Sequence, residues 1–217
     1  EMDREGNILD VIADKLVDGT RIDGPNDLVI DAKGGMYITD PQFLPGVDKV
    51  QAGKQVYYRK PDGDLIVVAE PGEMGQANGV LLSPDGKNIY FSNTRNQPFG
   101  YWQIKGDVNP DGTISNLRKW AKPHIPPFAR QQDPDSKIWY SGADGMTMDT
   151  EGNVYIATRM GLQIFTPDGE YVGIVNTEVP PISCVFGGPD NDTIYMTCAT
   201  QIWKIKTNKK GITYPLK

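Results

Sequence analysis

The sequence predicts an all-β fold built as a β-propeller, and three observations predict it. The first is a hairpin that recurs at residues 26–40, 78–93, 143–158 and 184–198. Each copy runs from an apolar strand through a turn rich in Gly, Asp or Asn to a second apolar strand. The copies start roughly 40 to 66 residues apart, near the repeat of a propeller blade. The second observation is another hairpin between copies. Residues 57–68 turn at Pro61-Asp62-Gly63, and residues 162–175 turn at Pro167-Asp168-Gly169. Two successive hairpins make a four-stranded antiparallel blade. The third is a tyrosine at the same place in every copy: Tyr37, Tyr90, Tyr155 and Tyr195. Matching turns and tyrosines favour a propeller over a β-sandwich.

In chain order, residues 2–12 read as the turn and last strand of the second hairpin type, so the chain is expected to enter in mid-blade. Residues 14–24 form a polar loop, and residues 40–46 form a Pro/Gly loop leaving the first copy. Blade two runs from Asn78 through Tyr101-Trp102-Gln103-Ile104 to a turn at Asn109-Pro110-Asp111-Gly112. Residues 122–140 are the longest irregular stretch. Their prolines, aromatics and His124 suggest a loop over one face, where function often sits. Blade three follows Asp144. Blade four follows Cys184 and is expected to end with Ile202-Trp203-Lys204-Ile205 and a weak strand near Ile212. The expected count is four blades and half of a fifth, in one domain over residues 1–217. A ring left open in this way presents unpaired strand edges.

Composition narrows the partners. The chain of 217 residues carries a formal net charge of −6, which argues against nucleic acid or an anionic membrane as a partner. No apolar run approaches the ~18 residues of a membrane span, and no signal pattern opens the sequence. Neither point decides between a cytoplasmic and an exported protein. Cys184 and Cys198 lie on the two strands of one hairpin. A disulfide between them stays open, with two buried reduced thiols the preferred reading.

The chemistry gathers where inner strands begin. Inner strands line a propeller's channel, so Asn26, Asn78 and Asp144, at equivalent starts, converge near the axis. Amide oxygens and a carboxylate are hard donors suited to Ca²⁺. Any one of the three could simply shape a turn; three equivalents together point to a metal. No Cys/His cluster of zinc type occurs, and a Ser-His-Asp triad would have to run through the single histidine, His124. Asp40 and Asn93 end second strands, with Thr158 and Cys198 as counterparts, and read as structural. Asp27 is a candidate outer partner of Asn26. Ser183 could reach the channel, while His124, Arg21 and Arg159 read as loop or surface residues.

Four stretches carry a family resemblance: Gly24-Pro25-Asn26-Asp27, the run Ala77-Asn78-Gly79-Val80 continuing to Lys87, Ala143-Asp144-Gly145-Met146, and Cys184-Val185-Phe186-Gly187-Gly188. They resemble the gluconolactonase and senescence-marker-protein (regucalcin-like) family over nearly the whole chain and in the family's order. The resemblance implies a six-bladed β-propeller of which this chain holds about four and a half blades. It implies hydrolysis of a small-molecule sugar lactone with one divalent cation, Ca²⁺ the first choice, in the channel. It makes Asn26 a metal or substrate ligand, Asn78 a metal ligand, and Asp144 a metal ligand and the catalytic base or nucleophile. Asp144, or water held between it and the cation, would attack a carbonyl polarised by the cation. One departure accompanies the match: the family's first ligand, a glutamate in a Glu-Gly-Pro motif, has no counterpart here. The expectation is that the N-terminal blades are absent from this chain or supplied by a separate N-terminal fragment. A phosphotriesterase-like hydrolase and a non-catalytic binding scaffold are the alternatives.

Overall fold

Period-two alternation gives every blade two apolar faces, because each sheet stands between two neighbours. The computed structural model describes residues 1–43, 48–70, 72–94, 102–125, 141–214 and 216. Among them the regular elements are all strands. Blade one contains β1 (Leu28–Ile30), β2 (Met36–Asp40), β3 (Gln55–Arg59) and β4 (Leu65–Ala69). Blade two contains β5 (Ala77–Leu82), β6 (Asn88–Asn93), β7 (Ile104–Val108) and β8 (Ile114–Lys119). Blade three contains β9 (Met146–Met148), β10 (Val154–Thr158), β11 (Gly161–Phe165) and β12 (Tyr171–Val175). Blade four contains β13 (Ser183–Gly187), β14 (Thr193–Cys198) and β15 (Gln201–Lys206). Each is an antiparallel meander in chain order, as the repeated hairpins predict. The expected half-blade at the N-terminus is represented by two isolated bridges, Met2 to Ile8 and Lys15 to Arg21. Most of the 122–140 loop, all of residues 126–140, lies outside the described residues.

The recurrent tyrosine is a seam residue. On each second strand it faces the following blade, and its apolar neighbours face the preceding one. Tyr37 packs with Val80, Leu82, Ile89 and Phe91 of blade two. Tyr90 packs with Met146, Val154, Ile156 and Phe165 of blade three. Tyr155 packs with Cys184, Phe186, Ile194 and Met196 of blade four, its ring edge-on to Phe186 at 5.1 Å. Each fully buried side chain of this size contributes roughly 1.5–3 kcal/mol, so the seams carry most of the apolar stabilisation. Tyr195 points the same way from blade four, where no described residue covers it. It is only half-buried, and Val185 opposite it on β13 is 57% exposed.

The first-hairpin turns of blades one and three are built on aspartates. Asp31 Oδ1 accepts the Lys33 and Gly35 N–H groups, and Asp149 Oδ1 accepts those of Glu151 and Asn153. Gly34 and Gly152 supply the left-handed residue that these turns need.

The end of the chain departs from expectation. Blade four has three strands, and the stretch near Ile212 does not become its fourth. Instead Gly211 N–H donates to Asn191 O at 2.8 Å, Ile212 N–H to Met148 O at 3.1 Å, and the Tyr214 hydroxyl to Leu82 O. The tail therefore crosses from blade four under blade three to blade two. The reason is burial. Ile212 and Tyr214 pack into the blade two–three core, whereas β15 offers an edge whose Ile202 is 77% exposed.

Candidate functional site at the channel rim

The inner strands β1, β5, β9 and β13 neighbour one another in that order. The residues just ahead of them form the upper rim of the channel. Backbone bonding identifies the equivalent positions. Asn26 N–H donates to Thr39 O at 2.8 Å, Asp144 N–H to Ala157 O at 2.9 Å, and Ile182 N–H to Thr197 O at 2.8 Å. The fourth rim position is thus Ile182, two residues ahead of the Cys184 at which the sequence repeat starts. Ile30 and Met36 flank the five turn residues 31–35, whereas Phe186 and Ile194 flank the seven residues 187–193. Gly187 and Thr193 form one further pair, so counting back from the turn lands two residues late. Blade four brings no polar side chain to this position.

Blade two presents Asn78 through a bulge, where the β5–β6 register shifts between Ala77 and Val80. A bulge re-aims the side chain at its centre. Three of the backbone groups around it are taken up by side chains. Val80 N–H donates to Asp27 Oδ2 of blade one at 3.0 Å, Gly79 N–H to Ser92 Oγ at 2.7 Å, and Thr39 Oγ1 donates to Asn78 O at 2.6 Å.

The glycines after Asn78 and Asp144 mark close approaches between blades. A Cβ on Gly79 would lie 2.6 Å from Asp144 O, and one on Gly145 would lie 2.2 Å from Ser183 Oγ and 2.8 Å from Ser183 Cα. In blade one that place belongs to Asp27, whose carboxylate spans to Val80.

This packing joins two of the three expected site residues. The Asn78 amide lies close enough to the Asp144 carboxyl to favour its ionised form, and it donates to Thr94 Oγ1 at 3.2 Å. Asn26 is exposed at the equivalent place and shares neither contact. Burial raises the Asp144 carboxyl from its ordinary 3.8 to about 6, against the effect of the Asn78 amide and with the Asp27 charge adding to it. Burial raises Asp27 as well.

Asn78 is 4% exposed, and its Oδ1 is buried with no hydrogen-bond partner. Such an orphaned acceptor costs roughly 1–3 kcal/mol. A hard cation bound there would offset that cost, with the Asp144 carboxylate beside it. The donors present therefore fit a divalent cation of the Ca²⁺ kind.

Below the rim lies a cavity of about 290 Å³, with Asp27 and Ser183 at its upper end, Val80 and Met146 on its walls, and Tyr214 at its lower end. Ser183 thus reaches the channel, as the sequence suggested.

Asp40 and Asn93 act as supports. Asp40 Oδ2 accepts the Asp23 and Gly24 N–H groups ahead of Asn26, and Asn93 Oδ1 accepts Gln76 N–H ahead of Asn78. His124 is held through its main chain by Gln163 and stacks on Tyr171 at 5.0 Å, on the outermost strand of blade three. It does not join Asp144. Both cysteines are free and buried. Cys184 pairs with Met196 and Cys198 with Gln201, so the two are not opposite each other, and burial pushes the Cys184 thiol up to about 12.

Sequence reasoning missed the hydroxyls of Thr39, Ser92 and Thr94, which hold the rim. For the first two a signal existed in the recurrent Tyr-x-Thr or Tyr-x-Ser of the second strands: Tyr37-Ile38-Thr39, Tyr90-Phe91-Ser92 and Tyr195-Met196-Thr197.

Comparison with known proteins gives the same frame. Residues 3–200 match the family model described as SMP-30/Gluconolactonase/LRE-like region. The gluconolactonase of Zymomonas mobilis is 30% identical over 202 residues, which cover 89% of this chain and 53% of that protein. The diisopropyl-fluorophosphatase of Loligo vulgaris is 26% identical over 92% of this chain and 62% of its own length. The chain thus spans about half to two thirds of these relatives. A solved gluconolactonase of Xanthomonas campestris superposes with a TM-score of 0.77 at 23% identity, covering 94% of this chain and 63% of that one. It supports the propeller fold.

Proposed function

The chain belongs to the SMP-30/gluconolactonase/LRE-like family, and from that premise we propose that its channel rim hydrolyses a sugar lactone. One divalent cation, Ca²⁺ by donor chemistry, would be held by Asn26, Asn78 and Asp144. The observation that carries this reading is the contact between Asn78 and Asp144, with the orphaned buried Oδ1 of Asn78 beside the carboxyl. Lactone-hydrolysing relatives support the reaction class.

When bound, the cation supplies Lewis-acid polarisation of the lactone carbonyl. The chain's own residues do the rest. Asp144, raised to about 6, is largely ionised at neutral pH yet basic enough to take a proton. It removes the proton of a water that attacks the carbonyl carbon, and as the ring C–O bond breaks it returns that proton to the ring oxygen, which leaves as the hydroxyl of the open acid. If the carboxylate itself attacks, the ring oxygen takes its proton from water, and a second water then cleaves the Asp144 acyl anhydride to release the acid and restore the carboxylate. Asn78 favours the ionised Asp144 carboxyl through its amide, and Asn26, exposed on the rim, meets the substrate from solvent.

Asp144→Asn keeps the shape and removes the base. Its kcat/KM for gluconolactone is expected to fall about a hundredfold or more, and a fully active variant would sink the assignment. Similarity to the squid fluorophosphatase over most of the chain favours a second reading, an aryl phosphotriesterase at the same rim. Parallel assays on gluconolactone and an aryl phosphotriester separate the two, and Ca²⁺ binding without hydrolysis of either would favour a binding scaffold.

The unpaired edge of β15, with Ile202 exposed, and the exposed inner-strand residues Leu28 and Val185 support one further element of the reading. The ring would be completed by additional polypeptide carrying the remaining blades, on this chain or on a separate fragment.

A further inference from the structure

Thr94 stands immediately after β6, at the upper end of the seam between blades two and three. Its N–H donates to Gln76 O at 3.1 Å, which ties it to the segment leading into Asn78. Its hydroxyl oxygen lies 2.8 Å from Ala143 O and 3.2 Å from Asn78 Nδ2.

The chemistry of these groups leaves one arrangement. A carbonyl oxygen only accepts, so the single hydroxyl proton goes to Ala143. Toward Asn78 the hydroxyl can then only accept, so the amide must turn its NH₂ to Thr94. With the NH₂ turned to Thr94, Oδ1 is left as the uncommitted oxygen of Asn78, buried and without a partner. The same hydroxyl holds the carbonyl of the residue just before Asp144. One oxygen atom therefore sets the amide orientation of one site residue and the main chain of the other, across a blade boundary.

We propose that Thr94 is the positioning residue of the cation site, orienting Asn78 and Asp144 together. This rests on the reading of the rim as a divalent-cation site.

The test measures Ca²⁺ affinity by calorimetric titration of the chelator-stripped chain, alongside its thermal unfolding without metal. Thr94→Val keeps the shape and removes the hydroxyl; Thr94→Ser keeps the hydroxyl and removes the methyl. Partners that orient metal ligands are worth about 10- to 100-fold in metal affinity. The expected result is at least a tenfold loss of affinity in Thr94→Val and recovery to within about threefold of wild type in Thr94→Ser. A merely structural role would lower the metal-free melting temperature in both variants and leave their Ca²⁺ affinities alike. Thr94→Ala provides a second hydroxyl-free chain should the valine variant not fold, with the same loss expected. Wild-type affinity in a folded hydroxyl-free variant overturns the role of Thr94 and leaves the cation reading standing. A wild-type chain that binds no Ca²⁺ overturns both.

Discussion

Tyr155 and Tyr195 occupy the same place in successive blades, yet their surroundings differ. Tyr155 is 5% exposed in the seam between blades three and four, with Phe186 against its ring and its hydroxyl donating to Asp149 at 3.0 Å. Tyr195 is half-buried on the far side of blade four, beside an exposed Val185. The repeat thus specifies which side chain faces a neighbour, while the neighbour decides what that side chain contributes. The rim shows the same dependence. Asn78 gains its orientation from Thr39 of blade one and Thr94 of its own blade, and Thr94 is itself held by blade three. Ile182, at the equivalent place in blade four, stands 47% exposed.

Substitution in pairs sharpens this contrast. Tyr155→Ala empties a closed seam and leaves a buried aspartate oxygen short of a donor, so a loss of about 3–5 kcal/mol is expected. Tyr195→Ala is expected to cost less than about 1 kcal/mol. Urea unfolding midpoints of the two variants check this, and equal losses would mean that the face of blade four is covered in solution. A smaller contrast separates two glycines of inner strands or their approaches. Gly145→Ala would push a methyl into Ser183 of the next blade and should destabilise by about 1–3 kcal/mol. Gly187→Ala meets the Tyr195 ring at 3.4 Å, an ordinary contact, and should stay within about 0.5 kcal/mol of wild type. Thermal melts of both variants read the difference.

What was legible in the sequence was local. Strand pairs and their turns follow from period-two alternation and Asp/Asn/Gly chemistry, so the four blades could be read directly, and with them Asn78 and Asp144 at the strand starts. Three features were not legible, one in a turn's register and two in contacts between distant segments. The extra Gly187–Thr193 pair hid Ile182 as the fourth rim position, because nothing in Ser183-Cys184 marks the register. The tail around Ile212 and Tyr214 had a strand-like composition, and only the apolar ends of β5 and β9 drew it away from β15. The role of Thr94 lies in two hydrogen bonds that cross a seam, for which a single threonine after a strand carries no signal.

The most direct measurement of the channel-rim chemistry is gluconolactone hydrolysis by the wild-type chain, first stripped with a chelator and then supplied with Ca²⁺. The expected result is loss of hydrolysis on stripping and its return on addition of Ca²⁺. Hydrolysis that survives the chelator, or none in the presence of Ca²⁺, would contradict a cation-dependent lactonase site built on Asn26, Asn78 and Asp144.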